Sequence, residues 1–195
     1  MTTDILIRKT APAPVPDRAG EEVRVVPGRA CGTCSLCCKV VGVEELKKPI
    51  GAWCPHCVRG NGCAIYDARP PSCRKFHCQW LLAEGLGPEW KPERAKFALL
   101  KSDGGHHLTA FVDPGFPSAW RRSPYYENLK QWATDGVRNL ADLHLVDVMI
   151  GRRCIVILPD RDVDLGILGA DEMIRLEPSA TGEVIEVRKI RRQSE

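Results

Sequence analysis

Nine of the ten cysteines in this chain lie within one short segment, and their spacing is typical of metal ligands. They form two consecutive C-x2-C steps with one more cysteine directly attached, and five others follow: Cys31, Cys34, Cys37, Cys38, Cys54, Cys57, Cys63, Cys73 and Cys78. A C-x2-C step lets two sulfurs turn toward one ion, as in zinc sites. Two consecutive steps are also found in the ligand run of an iron–sulfur cluster. The spacing therefore predicts a zinc, iron or iron–sulfur site.

The adjacent cysteines Cys37 and Cys38 separate this segment from a bacterial ferredoxin run, which continues with three more residues before Cys-Pro. Neighbouring side chains of an extended backbone point in opposite directions. We therefore expect Cys37 and Cys38 to face two neighbouring centres, or one of them to bind metal while the other packs. Nine sulfurs suffice for two four-cysteine sites, and equally for one cluster and one zinc ion.

Residues 31–80 resemble the zinc- or iron-chelating (YkgJ-type) cysteine-cluster family. The run Cys31-Gly32-x-Cys34-x-x-Cys37-Cys38 is similar to the CxxCxxCC signature of the family. The downstream half of the family pattern is matched by the run Gly62-Cys63-x-Ile65-Tyr66-x-x-Arg69-Pro70-x-x-Cys73-Arg74-x-Phe76-x-Cys78. The resemblance implies binding of zinc or iron, and some family members are described as iron–sulfur oxidoreductases. The ligands that it implies are Cys31, Cys34, Cys37, Cys38, Cys54, Cys63, Cys73 and Cys78. Cys57 departs from the family pattern and leaves the eighth ligand open.

Three polar residues near the cysteines are candidates for supporting the metal site. Metal-bound thiolates commonly need hydrogen-bond donors around them, and Tyr66, Arg69 and Arg74 stand among the ligands in sequence. A surface salt bridge is the alternative role for Arg69. His56 and His77 adjoin cysteines and are weaker ligand candidates, because enough sulfurs are present without them.

Charge is distributed unevenly along the chain. The formal net charge is only +3. Basic residues outnumber acidic ones in residues 1–80, the half that contains the cysteine segment, and the reverse holds in residues 81–195. We expect this positive charge to offset that of metal-bound thiolates, so a nucleic-acid surface is disfavoured. The basic run of residues 188–192 is predicted to be a solvated tail.

The sequence predicts a cytoplasmic protein with no membrane contact. No apolar run approaches the roughly 20 residues needed to span a bilayer. The N-terminal ten residues offer only Ile5-Leu6-Ile7 as an apolar core, which is shorter than a secretory signal requires. Thiols stay reduced in the cytoplasm, so metal binding is favoured over disulfides. Cys154, in an apolar run, is predicted to be a buried strand residue and not a nucleophile.

The predicted fold class is α+β, with a small metal-stabilised cysteine-rich segment packed on an antiparallel, β-rich domain with one or two helices. Three parts are expected: a flexible Pro-rich arm (1–29), a cysteine-cluster module (30–85) and an α+β domain (90–195). The cysteine segment has few periodic apolar positions, so it needs cross-links or metal to stay folded.

Individual elements follow from local composition. Helices are predicted over 44–48, over 73–84 with Ser72 as cap and Gly85 as stop, and over 124–134 with Ser123 as cap and Gly136 as stop. Strands are predicted where β-branched and apolar residues cluster. These strands are 22–26, 96–100, 108–112, 146–150, 154–158, 173–176 and 184–187. We expect antiparallel pairing, because no helix long enough for a parallel crossover separates these strands. We place His106 and His107 in a turn, and His144 lies in a stretch of ambiguous pattern.

No catalytic residues can be assigned, because the chain lacks a Walker loop, GxGxxG, HExxH and GxSxG. The leading interpretation is a cytoplasmic metal-binding protein that coordinates an iron–sulfur cluster, slightly favoured, or iron or zinc ions; an enzyme of this type would be an iron–sulfur oxidoreductase. One alternative is a structural zinc module that mediates protein or RNA binding through an unidentified partner. Another is metal storage or sensing.

Overall fold

The computed structural model describes residues 23–102, 105–138, 143–178 and 185–191. Its helices are α1 (Cys37–Val40), α2 (Pro71–Lys75), α3 (Gln79–Leu82), α4 (Pro92–Ala95) and α5 (Tyr125–Val137). Its strands are β1 (Cys57–Val58), β2 (Gly62–Cys63), β3 (Phe97–Lys101), β4 (His107–Val112), β5 (Leu145–Ile150), β6 (Arg153–Ile157), β7 (Asp162–Ile167), β8 (Glu172–Pro178) and β9 (Ile185–Arg191). The fold is α+β and rich in β-structure, as predicted. Among the described residues, no helix has the length and apolar character to cross a membrane.

A five-stranded sheet in the order β3-β4-β5-β6-β7 forms the centre of the structure. Strands β3 and β4 are antiparallel, with Phe97 opposite Val112 and Lys101 opposite Leu108. Strands β5 and β6 are also antiparallel. The predicted strands in these regions are confirmed, because their branched and aromatic side chains suit a pleated, buried surface.

The pairing of β4 with β5 is parallel, contrary to the prediction of purely antiparallel strands. His107 lies opposite Leu145, and Val112 lies opposite Ile150. Helix α5 lies in the connection between these strands and packs on the sheet through its buried Leu129. The expectation was wrong because this thirteen-residue helix is long enough for a crossover after all.

Two predicted boundaries of α5 differ from the structure. The helix begins at Tyr125, with Pro124 as its N-cap residue and no side-chain cap from Ser123. It continues through Gly136, which was predicted to end it. A Cβ atom on Gly136 would lie 2.7 Å from the carbonyl oxygen of His144. Glycine is therefore required here by close packing inside the helix, not by a helix stop.

Strand β7 was not predicted. It pairs with β6 through a register shift at Cys154 and Ile155. Asp162, Asp164 and Gly166 interrupt its apolar character, and the last of these has a positive φ of +65°. These residue types are depleted in strands, so the sequence pattern resembled a loop. Strands β8 and β9 form a separate antiparallel pair. Strand β9 continues to Arg191, in the basic run that was predicted to be a solvated tail.

Alternate residues of the central sheet enter two different apolar clusters. Phe97 and Leu99 belong to the first cluster, together with α5, whereas Ala98 belongs to the second. Successive strand residues point to opposite faces, so each cluster covers one face. The second cluster also contains residues from α1 and its flanks and from the β8–β9 hairpin: Leu36, Val40, Val41, Ile174 and Leu176.

The cysteine segment contacts both faces of the sheet. Leu36, Val40 and Val41 join the second cluster, and Trp80 and Ala83, in and just after α3, pack against the first. Between these contacts the chain passes the end of β4: Lys39 forms an ion pair with Asp113. A Cβ atom on Gly51, whose φ is +84°, would lie 3.2 Å from the Cγ atom of Pro114. The segment is therefore packed on the sheet, in agreement with the predicted arrangement.

The helix predicted over 73–84 is broken into two. Helix α2 ends at Lys75 and α3 begins at Gln79, with extended backbone at Phe76 and Cys78 between them. Ser72 lies inside α2 and does not cap it; its hydroxyl donates to Glu45 Oε2 at 2.8 Å. The stretch predicted as helix 44–48 forms a 3-10 helix over Glu44–Leu46.

Arg29 fixes the end of α3. Its guanidinium donates hydrogen bonds to the carbonyl oxygens of Trp80, Ala83 (2.8 Å), Glu84 (3.2 Å) and Leu86 (2.7 Å). The nearby Val26 amide donates to the Leu81 carbonyl at 2.8 Å. Residues 23–26 form no strand, contrary to prediction; Glu22 and the Ala-Pro run of the expected arm lie outside the described residues.

We predict that Arg29→Met lowers the free energy of unfolding by about 1–3 kcal/mol, because several carbonyls at the end of α3 lose a charged donor. Urea denaturation followed by circular dichroism would measure the loss. Arg24→Met is the matched control, since Arg24 is exposed on the same stretch and should change stability by less than about 0.5 kcal/mol. Equal effects of the two substitutions would contradict this role for Arg29.

Candidate metal centre

Helix α1 sets the directions of the two adjacent cysteines. Leu36 and Val40 are buried against the sheet, so this side of the helix is fixed. The backbone at Cys37 and Cys38 is helical, not extended as the sequence argument assumed. Adjacent helical residues differ by about 100° around the axis. The two side chains therefore diverge, although less than they would on a strand.

Four thiols form what we call the first cysteine set: Cys31, Cys34, Cys37 and Cys78. The Cys34 amide donates to the Cys31 carbonyl at 3.0 Å, which closes a tight turn. The pKa of Cys37 is raised by a hydrogen bond with Cys38, by burial and by the charges of Cys38, Cys34 and Cys31. Burial raises the pKa of Cys78 to about 11, and the charges of Cys31 and Cys34 act in the same direction. Cys31 and Cys34 therefore lie close enough to influence both Cys37 and Cys78.

Cys34 is also partly shielded, and burial raises the pKa of its thiol. Both Cys34 and Cys37 pack against the second apolar cluster of the sheet. The first set thus borders the protein core.

Another four thiols form the second cysteine set: Cys38, Cys54, Cys57 and Cys73. The Cys54 amide donates to the Cys38 carbonyl at 2.8 Å, and the Cys57 amide donates to the Cys54 carbonyl at 3.1 Å. Burial raises the pKa of Cys73, and the charges of Cys38 and Cys54 add to that effect. Burial also raises the pKa of Cys57, next to the charge of Cys38. These contacts bring together cysteines that are far apart in sequence.

Cys38, in the second set, ionises more readily than an ordinary thiol. Its pKa is lowered to about 6, chiefly by a hydrogen bond from Cys37 and further by one from Cys57 and by the charges of Lys48 and Arg69, against the opposing effect of burial. Hydrogen bonds to the charged form and nearby cations both favour a thiolate. Cys38 is therefore the thiolate at the junction of the two sets.

Cys63 lies beside the second set. It is directly opposite Cys57 in the short antiparallel pair of β1 and β2. Directly opposed residues place their Cβ atoms about 4.5–5.5 Å apart on one face of the pair. The second set and Cys63 together offer five thiols, so the choice of a fourth ligand stays open between Cys57 and Cys63.

Lys48 is a buried residue that the sequence argument did not single out. It is 5% exposed, and its ammonium donates to the carbonyl oxygens of Val41, Lys39 (3.2 Å) and Pro49 (3.3 Å). Burial lowers its pKa, whereas the charges that raise it are those of four thiols: Cys54, Cys38, Cys37 and Cys73. No sequence signal distinguishes Lys48 from its exposed neighbour Lys47.

The three predicted supporting residues lie along one stretch of chain, from a 3-10 helix at Tyr66–Ala68 into α2. The Arg69 guanidinium stacks 3.7 Å from the ring centroid of Tyr66 and donates to the Tyr66 carbonyl at 2.8 Å. Arg74 donates to the carbonyls of Arg69 (2.8 Å) and Asp67 (3.0 Å). Of the three, only Arg69 contributes to the low pKa of Cys38. Arg74 and Tyr66 therefore hold the loop from which Arg69 acts.

The histidines beside the cysteines have backbone partners or backbone roles. His77 Nδ1 lies 3.2 Å from the Lys75 carbonyl oxygen. The His56 carbonyl accepts a hydrogen bond from Ala64 at 2.9 Å. His107, predicted in a turn, lies in β4 instead, with its Nε2 atom 3.3 Å from Asp147 Oδ1. His106 precedes β4, and its ring meets that of His144 edge-on at 5.0 Å between centroids.

Cys154 lies apart from both sets. It is fully buried in β6 and donates to Asp147 Oδ2 at 3.4 Å. The prediction of a buried strand residue is confirmed. All ten cysteines are free thiols.

The thiols fit a metal in number and type, although they are not yet gathered around one point. Within the described residues, no group of three or more His, Cys, Asp or Glu side chains is arranged to hold an ion. Tetrahedral zinc places sulfurs at about 2.3 Å from the metal, so the thiols must draw closer as it binds. Binding would release thiol protons, because a metal takes thiolates as ligands. A metal at either set would therefore fix the final positions of its ligands.

Comparison with family models, curated proteins and solved structures found no match to this chain.

We predict that, in metal-free protein, alkylation of Cys38 and Cys78 depends differently on pH. With its pKa lowered to about 6, Cys38 is about nine-tenths thiolate at pH 7, so its rate should rise up to that pH and then level off. Cys78, with a pKa of about 11, should still be gaining rate above pH 9. Limited iodoacetamide treatment and peptide mass spectrometry would measure both. A Cys38 rate that keeps rising above pH 8 would contradict the assignment.

Proposed function

We propose that this chain is a metal-binding protein whose cysteine segment coordinates an iron–sulfur cluster, or iron or zinc ions. The observation that carries the proposal is that cysteines spread over the sequence meet in the fold: the Cys54 amide donates to the Cys38 carbonyl at 2.8 Å, and Cys57 lies opposite Cys63. Random burial of cysteines as small apolar residues gives no reason for such grouping. The resemblance to the YkgJ-type family and a cytoplasmic location belong to the same proposal.

The choice of metal follows from ligand chemistry. Thiolates suit zinc and iron–sulfur clusters alike. We favour iron on the two C-x2-C steps that end at Cys37. With iron–sulfur bound, the site would supply electron transfer, and the chain's own residues would shield the centre and balance its charge.

A structural zinc module is the second candidate. It is favoured by the shortness of the elements between residues 37 and 82, in which no helix exceeds the five residues of α2. Elements this short gain little stability by themselves, so a metal would fix their positions. In this role the segment would present the β-rich part of the chain to a protein or RNA partner.

We predict that protein purified without oxygen or chelators contains iron with acid-labile sulfide, or zinc, at a fixed ratio to chain. Elemental analysis, a sulfide assay and the visible spectrum would distinguish the two metals. Cys34→Ser should weaken metal retention against a competing chelator by at least about tenfold, the loss typical of changes around a metal site. Cys154→Ala is the control and should retain the metal. Protein that contains neither metal would refute the proposal, and a variable ratio would favour storage or sensing.

Metal removal should loosen the cysteine segment first. We expect amide hydrogen exchange to rise within residues 31–82 after chelation, because metal-binding free energy there is folding free energy. Strands β3 and β4 serve as the internal control, since their backbone bonds and apolar contacts do not involve the thiols. Unchanged exchange in residues 31–82 would show that metal does not hold the segment.

A further inference from the structure

We propose that the two cysteine sets are separate metal centres, and that the buried ammonium of Lys48 is part of the second one. This inference rests on the proposed function, because it requires that the cysteines bind metal. It adds a division of the ligands and a cation that no cysteine motif contains. Each centre would take a thiophilic divalent ion or an iron–sulfur cluster.

The number and placement of the thiols separate the centres. A structural zinc ion takes four ligands, and so does a cluster held by four cysteines. The first set supplies four thiols, and the second set with Cys63 supplies five. Cys34 and Cys37 border the apolar cluster on the sheet. Cys38, at the next helical position, hydrogen-bonds with Cys57 as well as with Cys37, and its carbonyl accepts from the Cys54 amide. We place the division between Cys37 and Cys38, so that the two centres adjoin there.

Lys48 gives the second centre a charge partner inside the protein. A buried ammonium is costly unless charged or polar groups compensate it. Three backbone carbonyls satisfy its hydrogen-bond donors. One of these carbonyls belongs to Lys39, the residue after Cys38, so the ammonium lies beside the backbone of the second set. The thiols whose charges act on it are Cys54, Cys38 and Cys73 of that set and Cys37 of the first. These thiols become thiolates when they bind metal, so Lys48 is compensated best when the second centre is filled.

The two centres differ in their electrostatic surroundings. A divalent ion with four thiolates carries a net charge of about −2, and Lys48 with Arg69 offsets this at the second set. At the first set, the charges that act on Cys34 are those of Lys91 and Glu93, which oppose each other. Removal of the Lys48 charge should therefore weaken the second centre more than the first.

The test is a Co²⁺ titration of the full-length chain after anaerobic chelation, because thiolate-bound Co²⁺ absorbs strongly in the visible and near-ultraviolet. Wild type should bind two equivalents. Cys37→Ser should lose the first centre and Cys38→Ser the second. Lys48→Met should weaken one equivalent by about tenfold or more, whereas the exposed control Lys47→Met should match wild type.

Two further variants separate charge from structure. Lys48→Gln keeps an amide donor for the carbonyls but removes the charge, so it should weaken the second centre as Lys48→Met does. The combination of Lys48→Met with Cys38→Ser should bind no worse than Cys38→Ser alone, because both changes act on one centre. Lys48→Met with Cys37→Ser should impair both centres.

The outcomes distinguish this inference from the function on which it rests. A wild-type chain that binds no Co²⁺ and contains no metal as purified would overturn both. Binding of a single equivalent, abolished by Cys37→Ser and by Cys38→Ser alike, would overturn the two centres and leave metal binding intact. Full binding by Lys48→Gln, with weak binding only in Lys48→Met, would overturn the charge role and assign Lys48 to its carbonyl contacts.

Discussion

The contact of Leu36, Val40 and Val41 with the central sheet determines where the cysteines lie. These residues give α1 a fixed orientation on an apolar cluster that the rest of the chain builds. The cysteine segment contributes few other buried apolar residues, so it is stabilised mainly by packing against the apolar core of the sheet. A four-residue helix would not persist alone in water, and tertiary packing stabilises it. The directions of Cys37 and Cys38 follow from that packing.

Electrostatics then organises what packing has brought together. Nine thiols in a partly buried segment repel one another when ionised, and burial raises the pKa of several of them. The chain concentrates its compensation at Cys38, where hydrogen bonds from two thiols meet the charges of Lys48 and Arg69. Lys48 and Arg69 thus account for part of the positive excess in the N-terminal half of the sequence, and their charges act on the Cys38 thiol.

The strands of the central sheet could be predicted because runs such as 97–101 and 145–150 combine branched apolar residues with clear turn signals. Strand β7 could not be predicted, because its aspartates are uncommon in strands. The parallel pairing of β4 with β5 could not be predicted either, because it depends on the packing of α5 on the sheet. The cysteines were identified as one group from their spacing. Which cysteines come close together could not be predicted, because this depends on loops that fold back over many residues. Lys48 was predicted as the end of a short helix, because no local pattern shows that its ammonium is buried against backbone carbonyls.

The position of the cysteine segment ahead of the sheet has a consequence for the order of folding. The ribosome completes residues 31–78 before it makes β5 and β6, which supply much of the cluster under α1. The parallel pairing of β4 with β5 also spans a long connection, and such non-local contacts form slowly. Nine thiols are therefore synthesised before their platform exists. On the proposed function, the ligands reach their final arrangement only after β5 and β6 have formed, so the thiols must stay reduced until then.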